Sequence, residues 1–122
     1  MVRITGLGGI FFKARDPKAL AAWYRDVLGL AVEDWGGALL KPDPEGPPHV
    51  VWGPFAHDTE YFKPSAREHM VNFAVDDLDA YLASLKAKSI EILGRDDSDP
   101  AGKFAWVMDP EGTKLEFWEP AS

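Results

Sequence analysis

"WVMDPEGTKLEFWEP", residues 106–120, sets a four-residue turn string between two strand-like runs. Asp-Pro followed by Glu-Gly is turn chemistry: Pro fixes φ, Asp bonds its own backbone, and Gly accepts a positive φ. The same string, "DPEG", stands at 43–46. Each copy precedes a strand-like run with a Trp six residues beyond the glycine, Trp52 in the first and Trp118 in the second. A repeated turn at a repeated distance from a repeated aromatic is the mark of an internal duplication.

The flanks repeat as well. "RDPKALAAWYRDVLGL" (15–30) predicts a helix, with Asp16 as N-cap and Pro17 at the first helical position. Leu20, Trp23, Tyr24, Val27 and Leu28 fall on one face, and Gly29 ends the run. "VDDLDAYLASLKAKS" (75–89) predicts a second helix, capped by Asp77, with Leu78, Tyr81, Leu82 and Leu85 at helical spacing. Strand-like runs "LGGIFFKA" (7–14) and "HMVNFAV" (69–75) precede the two helices. Three shorter runs follow each: "LAVEDW", "GALLKP" and "HVVWGPF", then "SIEILG", "KFAWVM" and "TKLEFWE". The acidic run "RDDSDPAG" (95–102) reads as an exposed turn.

The expected architecture is therefore α+β: two tandem βαβββ modules whose curved sheets enclose a shared cleft. Residues 1–122 form one domain on this reading, with module one at about 4–55, a connector at 56–68 and module two at about 69–120.

The composition narrows the function. The 122 residues are 46% hydrophobic and 27% charged, as in globular proteins, and include five Trp, three Tyr and seven Phe. Without cysteine there can be no disulfide, thiolate metal site or cysteine nucleophile. Three histidines, His49, His57 and His69, are the nitrogen ligands available to a metal. A net charge of −7 without a basic patch argues against nucleic acid. No apolar run approaches the ~20 residues needed to span a membrane. Met1-Val2-Arg3 leads straight into a strand-like segment, so a cytoplasmic location is expected. "GLGG" precedes a strand and is no nucleotide fingerprint, and no serine lies in a nucleophile-elbow context.

Strand alternation assigns the faces. Leu115 and Phe117 oppose Lys114, Glu116 and Trp118; Val71 and Phe73 oppose Met70 and Asn72; Phe12 opposes Phe11 and Lys13. One face of each strand is apolar and suits a helix. The other mixes aromatic, amide and charged groups, which is how small-molecule sites are lined. The expected ligand-contact set is Phe11, Lys13, Trp52, Met70, Asn72, Lys114, Glu116 and Trp118. Glu116 is the best candidate for a catalytic acid or base. It could equally anchor a cationic or hydroxylated ligand, or pair with Lys13 or Lys114. His57, Asp58 and Glu60 in the connector resemble a hydrolytic cluster, but three polar loop residues are expected simply to be solvated.

"RDPKALAAWYRDVLGL", "FAVDDLDAYLASL" and "WVMDPEGTKLEFWEP" together resemble the vicinal oxygen chelate superfamily, the glyoxalase/bleomycin-resistance/dioxygenase group. The resemblance implies paired βαβββ modules round a cavity, commonly in a homodimer. In the enzymes of that group, His, Glu or Gln on the first and last strand of each module hold a divalent metal. The matching positions here are Gly9, Val50, Met70 and Glu116, and Glu116 alone is of ligand type. The resemblance thus implies an incomplete metal site and no cofactor. The expected function is small-molecule binding in the cleft, as in drug-sequestering relatives. The alternative is a lyase, isomerase or dioxygenase, either metal-dependent or using Glu116 as acid or base. The expected partners are a small-molecule ligand and a second copy of the chain.

Overall fold

The computed structural model describes residues 10–122. It is an α+β fold in which a four-stranded sheet carries two helices, one ahead of all four strands and one between the first strand and the second. The first helix, α1, spans Pro17–Trp23 and widens into a π-helical turn at Tyr24–Leu28. Asp16 caps it by accepting from the Ala19 N–H at 3.0 Å, and Gly29 ends it at φ 82°. A left-handed residue is cheap there only for glycine. The second helix, α2, spans Leu78–Ala87, and the Asp77 carboxylate accepts from the Ala80 N–H at 3.0 Å.

Strands β1 (Val71–Ala74), β2 (Gly94–Asp99), β3 (Gly102–Met108) and β4 (Lys114–Pro120) form the sheet in the order β1-β4-β3-β2. β4 pairs parallel with β1 and antiparallel with β3. The β3–β4 hairpin closes through "DPEG": the Asp109 N–H donates to Thr113 O and the Gly112 N–H to Asp109 O. The last strand is therefore central in the sheet.

Period-two alternation decides what each face of β4 meets. Val71, Leu115 and Val107 form one row across β1, β4 and β3, and Phe73, Phe117 and Ala105 form the next. Both rows lie against α2, whose Leu78, Leu82 and Leu85 are buried with them. Each fully buried Leu or Phe contributes about 1.5–3 kcal/mol through removal from water. The Tyr81 and Phe117 rings, 4.9 Å apart, add an aromatic contact. The N-terminus of α2 is fastened to the sheet by the Glu119 carboxylate, which accepts from the Leu78 N–H at 2.8 Å.

The first helix joins this core through Leu20 and Tyr24, which are buried in the same cluster, and through polar groups. Tyr81 OH donates to Leu28 O at 3.0 Å, and Lys88 Nζ donates to Val27 O at 2.7 Å, satisfying carbonyls at its C-terminal end. Burial pushes the Tyr81 hydroxyl up to about 12.

Several expectations need correcting. Residues 10–14, the described part of the expected first strand, lie outside any strand. "GALLKP" and "HVVWGPF" form no ladder, and the run from "LAVEDW" keeps one isolated bridge, Val32 to Ala38. Four prolines between 42 and 48 remove backbone donors from this stretch, which suits it poorly to a sheet interior. In the second half, residues 90–93 lie outside the ladder and β2 begins at Gly94, so the acidic run is an edge strand rather than a turn. A charged strand fits an edge, where its side chains reach water and discourage further pairing.

Candidate functional site

On the sheet face away from α2, three rows cross the strands. Lys114 stands beside Met108; Asn72, Glu116 and Trp106 form the middle row; Ala74, Trp118 and Phe104 form the third. Glu116 is only 6% exposed. A carboxylate so enclosed needs donors, and it has three. Asn72 Nδ2 donates to Oε1 at 2.7 Å, Trp106 Nε1 donates to Oε2 at 2.8 Å, and the Tyr61 hydroxyl also donates to Oε2.

Two of these donors come from neighbouring strands and are fixed by sheet register. The third comes from the connector, an irregular segment that lies over this face. Tyr61 stacks on Phe55 at 5.4 Å and meets Trp106 edge-on at 6.0 Å. Lys114 Nζ donates to Tyr61 O at 2.6 Å and sits 5.2 Å from the Tyr61 ring centre and 5.3 Å from that of Trp106. The connector is thus held to the sheet at both ends of one tyrosine, by its hydroxyl and by its carbonyl.

Burial, reinforced by the neighbouring Glu116, pushes the Tyr61 hydroxyl well above the ordinary phenol range. Burial also lowers Lys114, with Glu116 pulling in the opposite direction. The direct partners of Glu116 are neutral donors, so of its alternative roles the pairing with Lys13 or Lys114 is not the one seen. The arrangement offers a buried acceptor ringed by aromatic surfaces, with one partner, Tyr61, carried on a non-sheet segment and 38% exposed.

The other expected contacts are scattered. Phe11 and Trp52 are 93% and 78% exposed, unlike the enclosed Glu116. Lys13 lines a different cavity, beside Arg15 and Arg67. Met70 is half-buried just before β1. Trp118 is buried one row from Glu116, where its indole N–H donates to Ala101 O at 2.9 Å and its ring lies 5.7 Å from that of His49. Asn72, Lys114 and Glu116 are the expected residues brought together. Tyr61 and Trp106 were not anticipated. Trp106 was findable: a hairpin closed by the 109–112 turn sets 106 opposite 116. Tyr61 was not, since no local pattern places a connector residue over a distant strand.

The donor set does not suit a divalent metal. Both Glu116 oxygens are engaged by N–H or O–H groups, Met70 and the exposed Val50 offer no ligand, and Gly9 lies outside the described residues. Among the described residues no three His, Asp or Glu converge on a common point. In the connector, His57 faces Glu68 at 3.5 Å and Glu60 faces Lys63 at 3.0 Å, all exposed to solvent.

The sequence profile of the glyoxalase-like domain matches residues 9–118, nearly the whole chain. The chain belongs to the glyoxalase-like domain family. Among solved structures it is similar to TnmS3, an antibiotic-binding protein from a Streptomyces species, at 20% identity over 88% of each chain, with a TM-score of 0.53. It is also similar to lactoylglutathione lyase from Agrobacterium tumefaciens, at 20% identity over 87% of each chain, with a TM-score of 0.51. Both likenesses concern the glyoxalase fold. A Bacillus anthracis protein named for the glyoxalase family is 28% identical, but the chain covers only 50% of it and the match takes in 52% of this chain, with a TM-score of 0.41. No curated protein sequence matches the chain.

Proposed function

We propose that this glyoxalase-like protein binds a small aromatic molecule on the sheet face bearing Glu116, without a resident metal. The observation that carries the reading is the buried Glu116 carboxylate, held by Asn72 and Trp106 from adjacent strands and covered by Tyr61 from the connector. A ligand with a cationic or hydroxyl group takes the place of the Tyr61 hydroxyl on Glu116, and its ring stacks on Trp106. Asn72 and Trp106 keep the carboxylate aimed while Tyr61 moves, so the acceptor is pre-organised and little ordering opposes binding. A protein of similar fold, TnmS3, is an antibiotic-binding protein, which supports a binding role.

The second reading is catalytic. The direct Tyr61–Glu116 hydrogen bond supplies a proton donor beside a carboxylate, the elements of metal-free acid–base chemistry on a small substrate. A cytoplasmic homodimer completes the proposal. Ile10, Phe11, Val50, Val51 and Trp52 are exposed apolar side chains of the kind a second copy would cover.

Tryptophan fluorescence titration with a panel of aromatic amines and phenols tests the binding reading. Binders should lose about tenfold or more in affinity in Glu116→Gln, because a charge-assisted hydrogen bond is removed. They should gain affinity in Tyr61→Phe, which frees Oε2. Affinity untouched by both changes would sink the assignment of this face. Turnover of a panel compound that disappears in both variants would favour the catalytic reading.

A further inference from the structure

A cavity of about 610 Å3, away from the Glu116 row, opens where residues 13–15, the connector at 64–67 and the 108–112 turn meet. Its charge is unusual for a chain of net charge −7. Lys13, Arg15 and Arg67 line it, against one carboxylate, Glu111.

Glu111 is already committed. Its Oε1 accepts from the Arg15 N–H and its Oε2 from the Asp16 N–H, both at 3.2 Å, and Arg67 Nη2 lies 3.4 Å from Oε1. Arg67 Nη2 also donates to Glu111 O at 2.9 Å, and the Arg67 N–H donates to Ser65 Oγ at 3.1 Å. Arg67 is thereby fixed at the cavity wall. Among the described residues, the side chains of Lys13 and Arg15 have no carboxylate within 4.0 Å. Two cations without a carboxylate partner among the described residues and one anchored guanidinium therefore line one space, whose remaining wall includes the apolar Pro64 and Met108. A volume in the range of about 300–1,000 Å3 suits an organic ligand better than a bare ion.

We propose that this cavity is a second ligand site, separate from the Glu116 face, for a small organic oxyanion. The oxyanion, a carboxylate or a phosphomonoester, engages Lys13, Arg15 and Arg67, and a short apolar portion lies on Met108 and Pro64. Guanidinium groups suit such oxygens because they donate in a planar fork.

The test uses the full chain with phenyl phosphate, 3-phenylpropionate, uncharged 3-phenylpropanol and inorganic phosphate, followed by amide NMR shifts and calorimetry. One or both organic anions should bind, with shifts centred on Arg15, Arg67 and Gly112, more tightly than either the alcohol or phosphate alone. Tighter binding of phenyl phosphate assigns a phosphomonoester; tighter binding of 3-phenylpropionate assigns a carboxylate. Lys13→Gln and Arg15→Gln, whose side chains make no hydrogen bond among the described residues, should each weaken binding by about threefold to tenfold with an unchanged circular dichroism spectrum. Glu116→Gln should leave this binding intact, which separates its failure from failure of the sheet-face reading. Equal affinity in the Lys13→Gln/Arg15→Gln double variant, equal binding of the alcohol, or loss of binding in Glu116→Gln would overturn the proposal.

Discussion

The Tyr24 hydroxyl donates a 2.7 Å hydrogen bond to Asp109 Oδ2 and so ties the first helix to the turn between β3 and β4. Both residues are buried, and Asp109 Oδ1 is occupied by the N–H groups of Glu111 and Thr113, at 2.8 and 2.9 Å. The phenol is thus the remaining donor that satisfies Oδ2 in the described structure. Tyr24→Phe should cost about 1.5–3 kcal/mol, since a buried charged acceptor loses its partner. Urea unfolding followed by tryptophan fluorescence reads this directly, and an unchanged midpoint would show that the two halves are not coupled there.

All three tyrosines of the chain are held above the ordinary phenol range: Tyr24 by burial and Asp109, Tyr61 by burial and Glu116, and Tyr81 by burial. A folded-state pKa above the unfolded one means that the folded state prefers the neutral phenol. That preference stabilises the fold fully below the unfolded value of 10.0 and is lost as the pH climbs through the folded value, over about 10 to 12 for Tyr81. Phenolate absorbance should therefore stay low at pH 10 and rise together with loss of the near-ultraviolet circular dichroism. A tyrosine titrating near 10 in the intact fold would contradict the burial described for it.

Substitutions at Glu116 should separate by hydrogen-bond capacity. Glutamine keeps an oxygen for Tyr61 and Trp106, and its amide can face Asn72 after rotation of the Asn72 amide, at a cost of about 1 kcal/mol. Leucine strands Asn72 and Trp106 without an acceptor and should cost about 2–3 kcal/mol. Thermal melts of the two variants give the comparison, and equal losses would mean that the donors do not depend on the carboxylate.

Gly102 opens β3 at φ 139°, with Glu119 O only 2.1 Å from where a Cβ would stand. Gly102→Ala should destabilise by at least about 2 kcal/mol, through backbone strain and a main-chain clash. Gly29→Ala, whose Cβ would meet nothing within 4 Å, should show only the conformational cost of about 1 kcal/mol. Equal losses at the two positions, measured by denaturant midpoint, would count against the close approach.

What could be read from the chain was local. Asp16, Asp77 and Gly29 mark helix ends through capping chemistry that acts within one turn, and all three do so in the fold. Alternation correctly separated Leu115 and Phe117 from Glu116, because strand geometry leaves no other choice. The first-half runs were harder: Ile10, Phe12, Val50 and Val51 have strand composition, but pairing requires a distant partner that composition does not specify. The candidate site divided along the same line. Asn72 and Trp106 follow from register, whereas Tyr61 reaches Glu116 across 55 positions of chain.

β4 comes after every other strand in the chain, yet lies between β1 and β3. Until it is made, β1 has no strand neighbour among the described residues, because its register is with residues 115–118. Neither the Glu116 row nor the bed for α2 can exist earlier. The β3–β4 hairpin closes over a short loop, whereas each β1–β4 pair joins residues 44 positions apart, Val71 with Leu115 for one, so the parallel pairing is the costlier closure. A fragment ending at Thr113 should accordingly show no cooperative unfolding transition.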